Sequence, residues 1–277
     1  SPQPDPIMKP LSRDPVIDKS LRHSLKDAAA FAGMTGVGET YLSAYALFWN
    51  ATTPQIGVLA SVPPLLASLV QLVSAWLGHV TGHRKAIVLL GASVQSFAWL
   101  PILLLPILLP EYAVPLIIAS VVLYHGGAHL AAPQWSSLMG DIVPQRRRGR
   151  FFGLRTRIVT LVTFGSLMLG GFLLHAASSE GRTLLGFMLL FGIAACPRML
   201  SVYHLAHMKD PGGQVAAMDL PIGRGWLHQL RHSNAVRFSV FFALMQFSVA
   251  IASPFFTVYM LRDLEFSYLA FTLNTGT

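Results

Sequence analysis

Glu39 stands in an otherwise apolar run that also holds Gly33, Gly36 and Gly38. A carboxyl shielded from water favours its neutral form, so Glu39 has the chemistry to take up and release a proton. The plainer alternative is a carboxyl hydrogen-bonded to a neighbouring helix that never titrates. Asp141 is followed by Pro144 and then by Arg146, Arg147, Arg148 and Arg150. An acid so close to a cluster of guanidinium groups can form an interhelical salt bridge that opens and closes, and Gly149 lets the chain turn there. Arg155 and Arg157 follow, either facing a cavity or extending toward the interface with water. His125 and His129 are four residues apart and share a helix face. That spacing can hold a metal, but no carboxylate or third ligand is near in sequence, so no metal is expected and a polar pair lining a cavity is the better use. Gln71, Gln95, Gln134 and Arg198 are polar groups inside apolar runs. Each can line a solute path or simply join two helices. Tyr41, Tyr45, Trp49 and Trp135 can stack on a solute or anchor helix ends at the interface.

The elements that carry these groups follow from composition. Charged residues are 12% of the 277 residues, against about 25% in a soluble domain, and the mean hydropathy is +0.55. A soluble fold of this size cannot hide that much apolar surface. Apolar runs of about 20 residues recur, the length that crosses a hydrocarbon core, whereas a β-barrel would show alternation over about ten residues. The fold class is an all-α polytopic membrane protein. The single Cys196 excludes a disulfide framework within the chain.

Residues 1–27 read as a polar tail, disordered over its first 20 residues, with prolines at 2, 4, 6, 10 and 15. Membrane helices are expected over about 28–49, 55–77, 86–109, 115–140, 151–176 and 184–206, forming a six-helix unit over 28–206. Pro63 and Pro64 predict a kink in the second helix. A polar loop follows over 207–236, whose Trp226, Leu227 and Leu230 suit a membrane surface. A seventh helix covers about 237–260, and an eighth begins within 237–277. Ser1 and the apolar run reaching Thr277 read as cut ends, so the chain is expected to be the front part of a longer protein.

Lys and Arg set the orientation. Of the 20, only Arg182 and Arg262 fall on the side opposite the N-terminus, and Arg198 falls inside a helix. The N-terminus is therefore expected on the cytoplasmic side. This one-sided placement also accounts for the net charge of +8 without a nucleic-acid partner, although lipids of that leaflet can be contacted. Tyr41-Leu42-Ser43-Ala44-Tyr45-Ala46-Leu47 and Phe255-Phe256-Thr257-Val258-Tyr259-Met260-Leu261 share the pattern aromatic–x–hydroxyl–x–Tyr–x–Leu, six helices apart. Such a repeat fits two parallel halves related by an axis along the membrane normal.

Asp141-Ile142-Val143-Pro144, Arg148-Gly149-Arg150 and Phe152-Gly153-Leu154-Arg155 resemble the loop between helices 4 and 5 of the major facilitator superfamily. Gly82-His83-Arg84-Lys85 is similar to the end of that family's helix 2–3 signature. His79 and Val80 stand where the signature carries an acid and an arginine, which moves the expected charge latch toward Asp141 and the arginines. The resemblance covers the chain after residue 27. It implies a six-helix bundle followed by helix 7 and the start of helix 8, out of a 12-helix architecture, in which two bundles rock around a central site.

The function expected from these features is secondary active transport of a small solute by alternating access across the bacterial inner membrane. Glu39, Tyr41, Gln71, His125, His129, Gln134 and Arg198 are the expected solute or proton-coupling residues. Asp141, Arg148, Gly149, Arg155, Gly82 and Arg84 are the expected conformational latch. The coupling ion is expected to be a proton and the protein a monomer. No cofactor is expected, because no nucleotide-binding signature is present. A metal-dependent membrane enzyme built on His125 and His129, or a membrane sensor that moves no solute, are the alternatives.

Overall fold

In the computed structural model, residues 11–12, 14–212 and 233–276 are described. The surface segment expected at Trp226, Leu227 and Leu230 lies outside them, as do residues 1–10 and 13 of the polar tail. Helix α1 spans Pro15–Val37, so regular structure begins inside the segment read as a tail. The reason is local. Asp14 caps the helix by accepting from the Val16 amide at 2.8 Å, and Pro15 occupies a first-turn position where its missing N–H costs nothing. Leu21, Leu25, Ala28 and Ala32 then recur on one buried face.

The helical ladder stops at Gly38. A single 3₁₀ turn, Glu39–Tyr41, leads into α2, Leu42–Phe48. The first expected span, 28–49, is thus two helical pieces with Glu39 at the joint. The remaining elements are α3 (Thr53–Thr81), α4 (Arg84–Phe97), α5 (Trp99–Leu108), α6 (Ala113–Ile142), α7 (Arg148–Ser179), α8 (Thr183–Ala206), α9 (Asn234–Val258) and α10 (Tyr268–Gly276). Pro63 and Pro64 lie inside α3 without ending it. A π-helical turn, Tyr259–Asp263, follows α9. Among the described residues, six helical segments are long and apolar enough to cross a membrane.

The bundle pairs α6 with both α3 and α4, and α1 with both α7 and α8, while α10 lies on α7. The α4–α6 crossing brings backbones together. A side-chain carbon on Gly127 would meet the Gln95 amide nitrogen and the Gly91 carbonyl oxygen, both at 2.7 Å. Rigid backbone cannot yield there, so Gly127→Leu is expected to force α4 and α6 apart. The expected cost is about 2 kcal/mol, the scale of overpacking a filled interior. Thermal unfolding of the purified protein in detergent reads it, and an unchanged midpoint would show that the crossing has slack.

Two clusters of buried side chains fill the bundle. One contains Met34, Tyr41, Tyr45, Trp99, Tyr124, Phe187 and Phe191. The other contains Leu21, Leu25, Val88, Leu138, Ile142, Phe151 and Leu205, at the end where most Arg and Lys lie. Exposed Leu65, Leu69, Leu72, Val73 and Trp76 cover the outer face of α3, an apolar surface suited to lipid.

Candidate functional site

On α1 and α8 the two clusters leave a gap. On α1 one ends at Leu25 and the other begins at Met34; on α8 one ends at Ala194 and the other takes up at Leu205. Residues in and beside these gaps line an open cavity of about 390 Å³. Its polar wall is formed by Asp27 of α1, Gln95 of α4, His129 and Ser136 of α6, Arg155 of α7 and Arg198 of α8, with Phe31 and Trp135 as aromatic faces.

Three charges meet in this wall. Asp27 and Arg198 are 3% and 4% exposed, so neither reaches bulk water freely. Arg198 Nη1 donates to Ser201 Oγ at 2.6 Å, and that hydroxyl donates to Asp27 Oδ1 at 2.6 Å. Arg155 Nη2 lies 3.8 Å from Asp27 Oδ2, an ion-pair distance too long for a hydrogen bond. The guanidinium of Arg155 sits 4.3 Å from the centre of the Trp135 ring, and that of Arg198 sits 5.1 Å from the Phe31 ring. Both geometries suit cation–π attraction. The Nε atoms of both arginines, and Gln95 Oε1, are buried without a hydrogen-bond partner among the described residues.

A second charge cluster lies at the basic end. Arg84, the first residue of α4, is 1% exposed. Its Nη1 donates to Asp141 Oδ2 at 2.5 Å, and its Nη2 donates to Asp210 Oδ1 at 2.7 Å. Arg84 beside it, with the Gly212 amide in support, holds the Asp210 carboxyl below the usual carboxylate range. Gly82, with φ of +66°, ends α3 in the left-handed region and turns the chain into α4, a conformation that glycine adopts without strain.

The residues expected to form the latch are divided among different surroundings. Asp141 and Arg84 meet, but Arg148 does not pair with Asp141. Its Nη2 donates to the Gly140 carbonyl at 2.7 Å, at the C-terminal end of α6 where carbonyls lack helical partners. Gly149 lies inside the first turn of α7 rather than in the turn before it. Arg155 belongs to the cavity.

The expected solute residues divide in the same way. His129 and Arg198 line the cavity. Glu39 lies outside its wall and accepts from the Tyr124 hydroxyl at 2.8 Å. Tyr41 donates to the Leu167 carbonyl at 2.7 Å and lies 2.9 Å from Thr272 Oγ1, so it ties α7 and α10 to the joint. Gln71 faces His129 Nδ1 at 3.3 Å on the exposed side. Gln134 Nε2 donates to the Ser74 carbonyl at 2.7 Å, joining α6 to α3. The His125 ring packs edge-on to Tyr124. Among the described residues, no group of three or more His, Cys, Asp or Glu is placed to hold a metal ion.

A model of the Major Facilitator Superfamily matches residues 28–276. The chain belongs to the major facilitator superfamily. It is an integral membrane protein and a membrane transporter of that superfamily, and its helical bundle is of that type. No curated protein and no solved structure matches the chain. Two residues of this transporter escape a reading of the sequence. Asp27 sits at the edge of an apolar run, where Lys26 and Arg22 make it look solvated, and only the cap at Asp14 signals that a helix carries it inward. Asp210 lies past the end of α8, and the second acid on Arg84 comes from there rather than from position 79, where His79 replaces the signature's acid.

Proposed function

We propose that this transporter moves a small solute through the cavity between α1, α4, α6, α7 and α8 by alternating access, coupled to a proton on Glu39. The observation that carries the reading is the convergence of Asp27, Arg155 and Arg198 in one cavity. Ionisable groups are costly at membrane depth and mark pathways. The contacts of α9 and α10 with the bundle support a state open at the basic end. Arg262 Nη2 donates to the Ala51 carbonyl at 2.5 Å, Phe255 lies against Gly57, and Tyr41 meets Thr272. Toward its N-terminal end α9 is exposed from Arg237 to Ser253, so no packing closes that side among the described residues. The repeated segments at Tyr41–Leu47 and Phe255–Leu261 come together at the closed end, where Leu47 and Leu261 pack on the same cluster. In this reading the basic end faces the cytoplasm of a bacterial cell and the protein works as a monomer in contact with lipid.

The break in the first helix supports the choice of Glu39. An irregular turn inside a membrane helix frees backbone groups and lets a side chain change partners, and Glu39 sits at that turn with one phenolic donor among the described residues, Tyr124. The test places the intact protein in liposomes with an internal pH dye and an imposed proton gradient, and offers panels of solutes. A transported solute is expected to dissipate the gradient only when the protein is present. Glu39→Gln is expected to abolish gradient-driven accumulation while exchange of solute for solute continues. Normal accumulation by Glu39→Gln would remove the coupling role, and absence of counterflow with every solute would remove transport.

A further inference from the structure

The cavity is unbalanced in charge and in hydrogen bonding. Two guanidinium groups face one carboxylate, Asp27, which leaves one positive charge without a counter-ion among the described residues of the wall. The hydrogen bonding is just as incomplete. Asp27 reaches Arg198 only through the Ser201 hydroxyl, and Arg155 stays 3.8 Å away. The Nε donors of Arg155 and Arg198 are buried and unfilled among the described residues, and Arg198 as a whole is 4% exposed. A planar guanidinium with vacant donors matches a carboxylate in charge and shape, and Arg does this better than Lys because its donors form a rigid fork. Gln95, His129 and Ser136 add neutral polar groups, and the remainder of the wall is apolar or aromatic, including Phe31, Val88, Ala128, Ala132 and Trp135.

We infer that the cavity binds an organic monocarboxylate. The carboxylate occupies the ground between Arg155 and Arg198, and an apolar body lies against Phe31 and Trp135. This rests on the transport reading above and deepens it. Asp27 is then the resident stand-in for the solute's carboxylate. It holds the two arginines in place when the cavity is empty and competes with the solute when it is full. Arg155, which makes only a long contact with Asp27, is the arm that moves first to the ligand.

The test uses three probes of one shape: cyclohexanecarboxylate, cyclohexanecarboxamide and cyclohexylammonium. Each is titrated at constant ionic strength into the intact purified protein. Binding is followed by tryptophan fluorescence, with Trp135→Phe identifying the responding ring. The carboxylate is expected to give a saturable change that the amide and the ammonium ion do not. Arg155→Gln and Arg198→Gln are each expected to weaken it about tenfold or more, the scale of a lost charge-assisted hydrogen bond. Arg155→Lys keeps the charge without the fork and is expected to fall between. Asp27→Asn keeps an acceptor for Ser201, removes the competing charge and is expected to tighten binding. The proposal is overturned if the amide or the ammonium ion binds as well as the carboxylate, if no probe binds, or if folded Arg155→Lys and Arg198→Gln proteins bind as the parent does. Binding is read without flux, so its failure is separable from that of the transport reading. Saturable carboxylate binding without counterflow leaves the site standing and removes transport; counterflow selective for a cation does the reverse.

Discussion

Neutralising Asp141 and Asp210 together, as asparagines, is expected to destabilise the bundle by about 3–5 kcal/mol, whereas Arg84→Met is expected to cost only about 1 kcal/mol. The asymmetry follows from which partner is buried. Arg84 is 1% exposed, while the side chains of Asp141 and Asp210 are 42% and 24% exposed. Removing the acids strands a guanidinium that water cannot reach, and an uncompensated buried charge carries that larger cost. Removing the arginine leaves two carboxylates that can rehydrate where they stand, and the methionine fills the vacated space. Asp141→Asn alone keeps the Asp210 pair and is expected to fall between the two. Thermal unfolding in detergent ranks the variants, and equal losses for the double acid variant and Arg84→Met would show that Arg84 is not the buried member.

The same cluster predicts a pH dependence of known sign. The Asp210 carboxyl is held below its ordinary value by Arg84. A group whose folded-state pKa is depressed adds stability above its unfolded-state pKa, about 4 for aspartate, and loses it as pH falls through the folded-state value. The parent protein should therefore lose stability relative to Arg84→Met as the solution is acidified below about pH 4. The two unfolding curves should draw together there and separate again toward neutrality.

How much of this was legible in the sequence depends on the distance over which each feature is specified. The spans from α3 to α8 are carried by apolar runs bounded by Gly82, Pro110, the arginine turn and Arg182, all local signals, and the structure places them close to where those signals fall. The family marker at Asp141–Arg155 is equally local. His129 and Arg198 were expected as solute residues and Arg155 as part of the latch, and all three meet in one cavity. The partners did not stand out, because partners are made by packing. Asp141 has four arginines within ten residues of it, yet its ion pair is with Arg84, because α4 lies along α6 and brings its first residue to the last turn of its neighbour. The nearer Arg148 is drawn instead to the free carbonyls at the end of α6. Asp27 was hidden by its charged neighbours, since Arg22 and Lys26 share its helix but not its inward face. The joint at Glu39 was hidden because glycine-rich membrane sequence reads the same whether the helix bends or runs on.

Arg198→Ala is expected to be the most damaging single change in the cavity, at about 3–5 kcal/mol, and Asp27→Asn in the same chain is expected to recover part of the loss. With Arg198 removed, the Ser201 hydroxyl loses the group that donates to it, and Asp27 keeps the neutral hydrogen bond from Ser201 but, as opposite charge, only the Arg155 contact at 3.8 Å. A carboxylate that is 3% exposed is then nearly uncompensated, which is the costly half of breaking a buried pair. Asparagine at 27 removes that charge and still accepts from Ser201. Arg155, with 22% of its side chain exposed, remains hydrated and stacked on Trp135. The double variant should therefore be more stable than Arg198→Ala alone, with a coupling of about 1–3 kcal/mol between the two positions. A purely structural Arg198 that merely fills space against Phe31 predicts otherwise: the two losses would add, and Asp27→Asn would make Arg198→Ala worse. Unfolding midpoints of the two single variants and the double variant separate these outcomes, because the sign of the coupling tells whether charge or volume holds this wall of the cavity.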